Sequence, residues 1–371
     1  MNRILSGSIL LGLCLTAATA TAQSEESGSL VCGALSDQAG LRQAWQIRLP
    51  IQSETGERVD RLFVFDPYLL VLTSQNYLFC RDRLDGSYRF EMPIAEKGLP
   101  VTDPLYLENR ILFLIGSQLK ILDPASGMIV KKKDLTEVGE SRNAGFAKND
   151  RFVYVAGVDR RVWAFQIQED GDYVRLFSAT ADNDSAITSI RATNERVYFA
   201  TLEGNVVSME ADQPRKIWQY NASGSITAPL LLDKEALYAG GQDTKLYKIS
   251  ASKGTLLWDE PFFAGDKIFN AFCLGKTLLY LNAGINGLYG ISQDSGREIW
   301  NVANGESVIC ESGDRAYVYA RPGVLVVMNN KTGKEALSLN FAGVTKYGVN
   351  LQDNRLYVAD EQGRVACLIA P

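Results

Sequence analysis

Hydrophobic and polar residues alternate with period two in short segments along most of the chain. Typical segments are 196–200 (RVYFA), 278–282 (LLYLN) and 356–359 (LYVA), and each is followed by a polar turn such as 240–244 (GGQDT). Alternation over a few residues, with many β-branched and aromatic side chains, predicts half-buried β-strands. No long segment beyond the N-terminal apolar stretch has helical periodicity, so we predict an all-β protein.

The strands recur as a unit. An aromatic-bearing strand is followed by a polar turn, a second alternating strand, a turn with glycine and a strand that ends in an aromatic residue. One residue of the first of these strands serves as the anchor of each copy, and successive anchors lie about 40 residues apart, which is the period of propeller blades. The anchors are Leu70, Phe113, Tyr154, Tyr198, Tyr238, Tyr280, Tyr317 and Tyr357. We therefore predict an eight-bladed β-propeller of four-stranded antiparallel blades.

The two ends of the repeat complement each other. The last copy stops at Pro371, after its third strand. The segment 40–49 (GLRQAWQIRL) has the features of an outer strand, but the first three strands of a blade do not precede it. The N-terminal strand is predicted to complete the C-terminal blade. Such closure removes the open edges that an all-β array would expose.

The phrase SGREIW at 295–300, and its near repeat KGTLLW at 253–258, combine a turn glycine with a large aromatic residue. Glycine permits the positive φ that a tight hairpin needs. The aromatic side chain is predicted to pack between neighbouring blades, where it can bury roughly 150–250 Å². The predicted blade-docking aromatics are Trp45, Phe90, Trp218, Trp258 and Trp300.

The N-terminus has the features of a secretory signal. Basic Arg3 precedes an apolar run, and small residues lead to a cut after Ala22. We predict a signal peptide over 1–22, an extension over 23–39 and a single propeller over 40–371. Leu13 stands where a lipoprotein cut before Cys14 needs a small residue, so lipidation is not expected. The mature protein is expected in the periplasm, with association with the outer membrane left open.

Composition removes several classes of function. The net charge is −5, which does not suggest a nucleic-acid-binding surface, and the only tight basic run is at 131–133. Histidine is absent from the chain. Histidine-dependent nucleophilic catalysis and histidine–metal sites are therefore excluded. No segment is long and apolar enough to predict a transmembrane helix.

The most complete repeats, 246–258 (LYKISASKGTLLW) and 288–300 (LYGISQDSGREIW), resemble the pyrroloquinoline-quinone-type repeat of eight-bladed propellers. This resemblance implies one of two groups. Quinoprotein dehydrogenases hold the quinone and Ca²⁺ in the funnel, beneath a pair of adjacent cysteines that this chain lacks. BamB-like propellers of outer-membrane assembly are non-catalytic and similar in length. The inner-strand candidates for a quinone–calcium site, Asn270, Glu311 and Asn350, form no recognisable set.

Five cysteines remain after Cys14, namely Cys32, Cys80, Cys273, Cys310 and Cys367. Cys273 and Cys310 each precede their anchor tyrosine by seven residues, so they occupy equivalent places on neighbouring inner strands. One hypothesis is a disulfide between them; the alternative is two buried apolar side chains. Cys80 and Cys367 are also in register, on third strands too far apart to be bridged.

These observations predict an exported propeller without catalytic activity or cofactor. It would bind protein partners of the cell envelope through one face or through the central funnel, and peripheral membrane association is compatible with this role. A quinone-dependent dehydrogenase is the main alternative, and a ligand-sensing module is a third.

Overall fold

The computed structural model of the chain describes residues 28–139, 145–169 and 172–371. The predicted signal peptide, 1–22, and the first residues of the extension lie outside the described residues. Among the described residues, no helix has the length and apolar character needed to cross a membrane.

The described residues form one short helix, α1 (Gly33–Gln38), and β-strands in eight groups. The first half contains β1 (Arg42–Arg48), β2 (Val59–Val64), β3 (Tyr68–Thr73), β4 (Tyr77–Asp82), β5 (Tyr88–Pro93), β6 (Leu105–Leu107), β7 (Arg110–Ile115), β8 (Gln118–Asp123), β9 (Met128–Asp134), β10 (Phe146–Lys148), β11 (Phe152–Ala156), β12 (Arg161–Ile167), β13 (Tyr173–Thr180), β14 (Ile187–Ala192), β15 (Arg196–Thr201), β16 (Asn205–Glu210) and β17 (Lys216–Asn221). The second half contains β18 (Leu231–Asp233), β19 (Ala236–Gly240), β20 (Lys245–Ser250), β21 (Phe262–Phe263), β22 (Cys273–Leu274), β23 (Leu278–Asn282), β24 (Leu288–Ser292), β25 (Glu298–Val302), β26 (Gly305–Ser312), β27 (Arg315–Ala320), β28 (Val324–Asn329), β29 (Glu335–Asn340), β30 (Lys346–Gly348), β31 (Arg355–Ala359) and β32 (Arg364–Ile369).

These strands pair into eight four-stranded antiparallel sheets. Blade 1 is β2–β5, and blades 2 to 7 follow in chain order, each with four consecutive strands. Blade 8 contains β30, β31, β32 and the N-terminal strand β1, which pairs with β32 so that Trp45 lies opposite Cys367. The structure confirms both the eight-bladed propeller and its closure by the N-terminal strand.

Hydrophobic contact between neighbouring blades holds the ring together. In blade 6, Tyr280, Gly290 and Trp300 lie opposite one another across three strands and face blade 7. In blade 8, the equivalent row of Tyr357, Cys367 and Trp45 faces blade 1. Second and third strands are buried on both faces, which explains their nearly continuous apolar sequences.

The anchor of blade 2 differs from the prediction by one residue. Leu112 packs with blade 3, as the other anchors pack with their following blades, whereas Phe113 packs with blade 1. Leu112, Phe113 and Leu114 are all buried and apolar. Because this strand is apolar on both faces, its sequence does not show which residues face which blade.

The outer strand of blade 5 also differs from the predicted position. The repeat unit predicts a strand that ends in the aromatic residue of 253–258 (KGTLLW), but β21 comprises only Phe262–Phe263, and a single bridge joins Ile249 to Leu256. Pro261 precedes β21 and has no N–H to donate to a ladder, which agrees with the interruption. Trp258 therefore lies before the strand, although it remains buried.

The described part of the N-terminal extension covers the contact between blades 7 and 8. Leu30, Val31 and Ala39 are buried in one cluster with Leu339 and Phe341. The extension therefore adds core to the last two blades, next to the point where the ring closes.

Candidate functional site

Three adjoining cavities open at one end of the central channel, where the connections into the inner strands meet. One cavity of about 560 Å³ lies between blades 1 and 8, one of about 720 Å³ beside blades 6 and 7, and one of about 440 Å³ next to blades 2 to 4. Glu306 and Tyr347 line both of the first two cavities, and Arg61 lines both the first and the third. We call this continuous depression the funnel mouth.

Arg191 is a partly buried cation in the wall of the funnel mouth. It lies on β14 and lines the cavity next to blades 2 to 4. Its Nη1 donates to the carbonyl oxygen of Ile190 at 2.8 Å, and no carboxylate of the described residues forms an ion pair with it. Burial lowers the pKa of the Arg191 guanidinium. A partly buried arginine with spare donors and no local counter-charge is a binding group for an anion.

Two hydroxyl groups lie on the same wall as Arg191. The Oγ1 atom of Thr188 is buried and has no hydrogen-bond partner among the described residues. The Oγ atom of Ser189, by contrast, accepts from the backbone N–H of Leu230 at 2.9 Å. Thr188 and Arg191 both line the cavity next to blades 2 to 4.

On the blade 1 side, the charges of the funnel mouth are already paired. Arg61 contacts Asp103 at 2.6 Å and Asp60 at 3.2 Å, and its Nη2 also donates to the carbonyl oxygen of Val101. Lys346 lies 4.0 Å from Asp60. Of the charged residues that line the cavity next to blades 2 to 4, Arg61 and Asp103 therefore pair with each other, whereas Arg191 has no carboxylate partner among the described residues.

The opposite side of the funnel mouth is apolar and exposed. Phe269 is 54% exposed, Ile285 is 87% exposed and Val349 is 40% exposed. The backbone N–H of Ile285 is held by the Asp266 carboxylate at 3.0 Å, so the turn that carries this side chain is fixed. Clustered apolar side chains on a surface with a polar surround are typical of interaction sites.

The predicted docking aromatics lie at blade contacts, away from the funnel mouth. Gly296 illustrates their fit: its φ is +70°, and a Cβ atom there would lie 2.6 Å from the Trp258 ring. Phe90 packs against Gly127 of blade 2 in the same manner. The four tryptophans among these predicted aromatics each donate a hydrogen bond from Nε1 to the following blade. The pairs are Trp45 to Arg83 O, Trp218 to Ala251 O, Trp258 to Gln293 O and Trp300 to Asn330 Oδ1.

The structure does not join Cys273 to Cys310; both are free thiols. Cys273 packs with the residues between blades 6 and 7, whereas Cys310 faces blade 8 and lies 3.5 Å from the carbonyl oxygen of Asp353. Equivalent positions point the same way round the ring, so the second thiol points away from the first. Burial raises the pKa of Cys273 to about 12. Cys80 and Cys367 are also free.

The inner-strand candidates for a quinone–calcium site do not converge. Glu311 is buried between blades, where it accepts hydrogen bonds from Tyr280 Oη, Lys276 N and Asn330 Nδ2. Asn350 binds Asp353, whereas Asn270 lies at the funnel mouth and binds Asn282. In the part of the chain that the structure describes, no cluster of three or more Cys, Asp or Glu side chains could hold a metal ion. These residues do not fit the quinone or its cation.

Sequence reasoning missed Arg191 as a site residue. The segment ITSIRA, 187–192, forms the inner strand of blade 4 and contains one cation. That cation was the available signal. Whether an acidic side chain of another blade would reach it depends on the assembled ring.

The fold and its repeats define a PQQ-like repeat propeller. A sequence profile described as outer membrane protein assembly factor BamB matches residues 116–276 and 286–369. The chain belongs to this BamB family.

Solved structures agree on the fold. BamB from Moraxella catarrhalis has a TM-score of 0.63 and 14% identity, with 89% of this chain and 99% of that one covered. The computationally designed Ika8 protein has a TM-score of 0.68 and 14% identity, with 88% and 99% covered. A search of curated proteins found no match.

Proposed function

We propose that this protein is a non-catalytic, exported binding module that takes part in assembling outer-membrane proteins from the periplasmic side. It binds a partner protein at the funnel mouth. The observation that carries the proposal is Arg191, a partly buried cation on the wall of an open cavity that has no carboxylate partner within 28–139, 145–169 and 172–371. Membership of the BamB family supports the assembly role.

The two sides of the funnel mouth suit a protein segment that carries both a carboxylate and an apolar side chain. A carboxylate of the partner binds Arg191 and Thr188, and an apolar side chain covers Phe269 and Ile285. Charge-assisted hydrogen bonds give such a contact its orientation, and apolar burial gives it most of its affinity. Catalysis is not part of the proposal, because the quinone–calcium candidates are engaged elsewhere or lie apart.

Reversing the charge of Arg191 tests the proposal. In a strain that lacks the gene, we expect the amounts of folded outer-membrane β-barrel proteins to fall and the wild-type gene to restore them. Arg191→Glu should restore them poorly, because a carboxylate repels the proposed ligand and lies on the cavity wall. The measurement is quantitative immunoblotting of heat-modifiable barrel proteins.

The matched control is Arg42→Glu, which makes the same charge change at an exposed position on β1. This variant should restore barrel assembly as well as the wild type does. Full restoration by Arg191→Glu, at an equal level of folded protein, would contradict the role of the funnel mouth.

A further inference from the structure

The sequence contains two Asn-Gly pairs, and the fold brings them together. Asn286-Gly287 lies in the turn between β23 and β24, and Asn304-Gly305 connects β25 of blade 6 to β26 of blade 7. A Cβ atom at Gly287 would lie 3.0 Å from the backbone nitrogen of Asn304, so the two turns are neighbours. In such a pair the glycine nitrogen can attack the asparagine side chain, because glycine has no Cβ atom to obstruct the approach.

In the first pair, hydrogen bonds hold both groups that would react. The side-chain amide of Asn286 is half-buried and donates from Nδ2 to the carbonyl oxygen of Ala264 at 2.9 Å. The backbone N–H of Gly287 donates to the carbonyl oxygen of Gly284 at 3.2 Å. Attack of the Gly287 nitrogen on the Asn286 side chain would therefore break two hydrogen bonds.

In the second pair, neither group is held within the part of the chain that the structure describes. Asn304 is exposed, and its side chain has no hydrogen-bond partner there. The backbone N–H of Arg321 donates to the carbonyl oxygen of Asn304 at 2.9 Å, and Gly305 lies opposite Ala320. Gly305 and Ala320 are thus a non-hydrogen-bonded pair of the antiparallel ladder, so the Gly305 N–H points away from β27. Because β26 is the edge strand of its sheet, that side has no further strand in the ladder.

We propose that Asn304 is a site of spontaneous deamidation in the folded protein. The backbone nitrogen of Gly305 bonds to Cγ of Asn304, and the bond from Cγ to Nδ2 breaks. Nδ2 leaves as ammonia with the proton of the Gly305 N–H, and a cyclic succinimide remains. Water from the solvent then adds to one of the two ring carbonyls and opens the ring to aspartate or isoaspartate. The reaction consumes only water and involves no oxidant or reductant.

The product changes the charge of the funnel mouth. Asn304 and Gly305 line its cavity of about 720 Å³, which Glu306 also lines. A neutral side chain is replaced there by a carboxylate, so one negative charge is added beside that of Glu306. Isoaspartate also lengthens the backbone where the chain passes from blade 6 to blade 7. The site depends only on groups of this chain and is independent of the proposed partner.

The test is peptide mapping by mass spectrometry after incubation of the folded, whole mature protein at mildly alkaline pH. Trypsin cleaves after Arg297 and so places the two Asn-Gly pairs in separate peptides, 277–297 and 298–315. Digestion in heavy-oxygen water labels the deamidation that occurs after the incubation, and fragmentation assigns the modified residue. We expect Asn304 to deamidate at least about tenfold faster than Asn286, which two hydrogen bonds restrain.

The matched control is the same incubation in guanidinium chloride, which unfolds the chain and frees both pairs from their surroundings. Asn286 and Asn304 should then deamidate at similar rates. In the folded protein, Asn304→Gln should remove the modification, because glutamine would have to form a larger ring. Equal rates at the two sites in the folded protein, no deamidation of Asn304, or the same ratio of rates in the unfolded chain would overturn the proposal.

Discussion

Replacing Trp300 by alanine is expected to destabilise the propeller by about 3–5 kcal/mol, the usual cost of removing a buried tryptophan side chain. Trp300 is 3% exposed and fills the contact between blades 6 and 7. Its Nε1 donates to Asn330 Oδ1 at 3.0 Å, so the substitution also leaves that acceptor unpaired. The Asn330 side chain in turn donates to Tyr280 and Glu311, which links the tryptophan to a buried polar network.

Thermal unfolding followed by circular dichroism measures this effect. A fall in Tm of roughly 4–7 °C is expected for a domain of this size. Ile299→Ala is the matched control, because Ile299 precedes the tryptophan on the same strand but is 37% exposed. Its loss should cost about 1 kcal/mol or less. Equal destabilisation by the two substitutions would show that blade docking does not depend on the aromatic side chain.

Replacing Arg83 by methionine is expected to destabilise the closure of the ring by about 1–3 kcal/mol, the usual cost of leaving a buried hydrogen-bonding group without its partner. Arg83 belongs to blade 1, and its side chain is 8% exposed. It contacts Asp66 of its own blade at 2.8 Å. It also contacts Asp353 of blade 8 at 2.7 Å and Tyr357 Oη at 3.2 Å. Methionine would leave Asp353 without its cross-blade partner.

Equilibrium unfolding in urea measures the loss, with Arg89→Met as control. Arg89 pairs with Asp82 within blade 1 and is 44% exposed, so its removal should cost about 1 kcal/mol or less. In an Asp353→Asn background, Arg83→Met should cost less than it does in the wild type, because the two side chains act together. Equal costs in both backgrounds would argue against a cross-blade ion pair.

The same pair gives the direction of a pH effect. Burial raises the pKa of Asp353, but hydrogen bonds from Arg83 and Asn350 lower it more, so the net pKa lies below the ordinary value. A carboxyl group with a depressed folded-state pKa stabilises the fold above its unfolded pKa, about 3.9 for aspartate. This contribution is lost as the pH falls through the folded-state value. Arg83→Met should therefore weaken the acid sensitivity of unfolding.

The propeller could be predicted because each blade repeats the same local requirements. A row such as Tyr280, Gly290 and Trp300 recurs at a nearly constant interval. The strand at 40–49 has no blade of its own, and the incomplete last blade is the partner available to it. The register of blade 2 could not be predicted, because Leu112 and Phe113 satisfy the same pattern. The outer strand of blade 5 was predicted too early in the chain, because the turn glycine and tryptophan of 253–258 match the repeat. Pro261, which interrupts the strand ladder, was not given weight.

The candidate site was less predictable, because its chemistry depends on which side chains are missing around it. Arg191 is visible in the sequence, but its lack of a carboxylate partner follows from the positions of several blades.

Site-specific photo-crosslinking in cells tests most directly whether the funnel mouth binds a partner protein. A photoreactive phenylalanine analogue would replace Phe269, which lies at the funnel mouth, or Tyr88, which is 63% exposed on the outer strand of blade 1. The account predicts a defined crosslinked partner from position 269, its loss with Arg191→Glu, and no such product from position 88. The same product from position 88 and none from position 269 would contradict it.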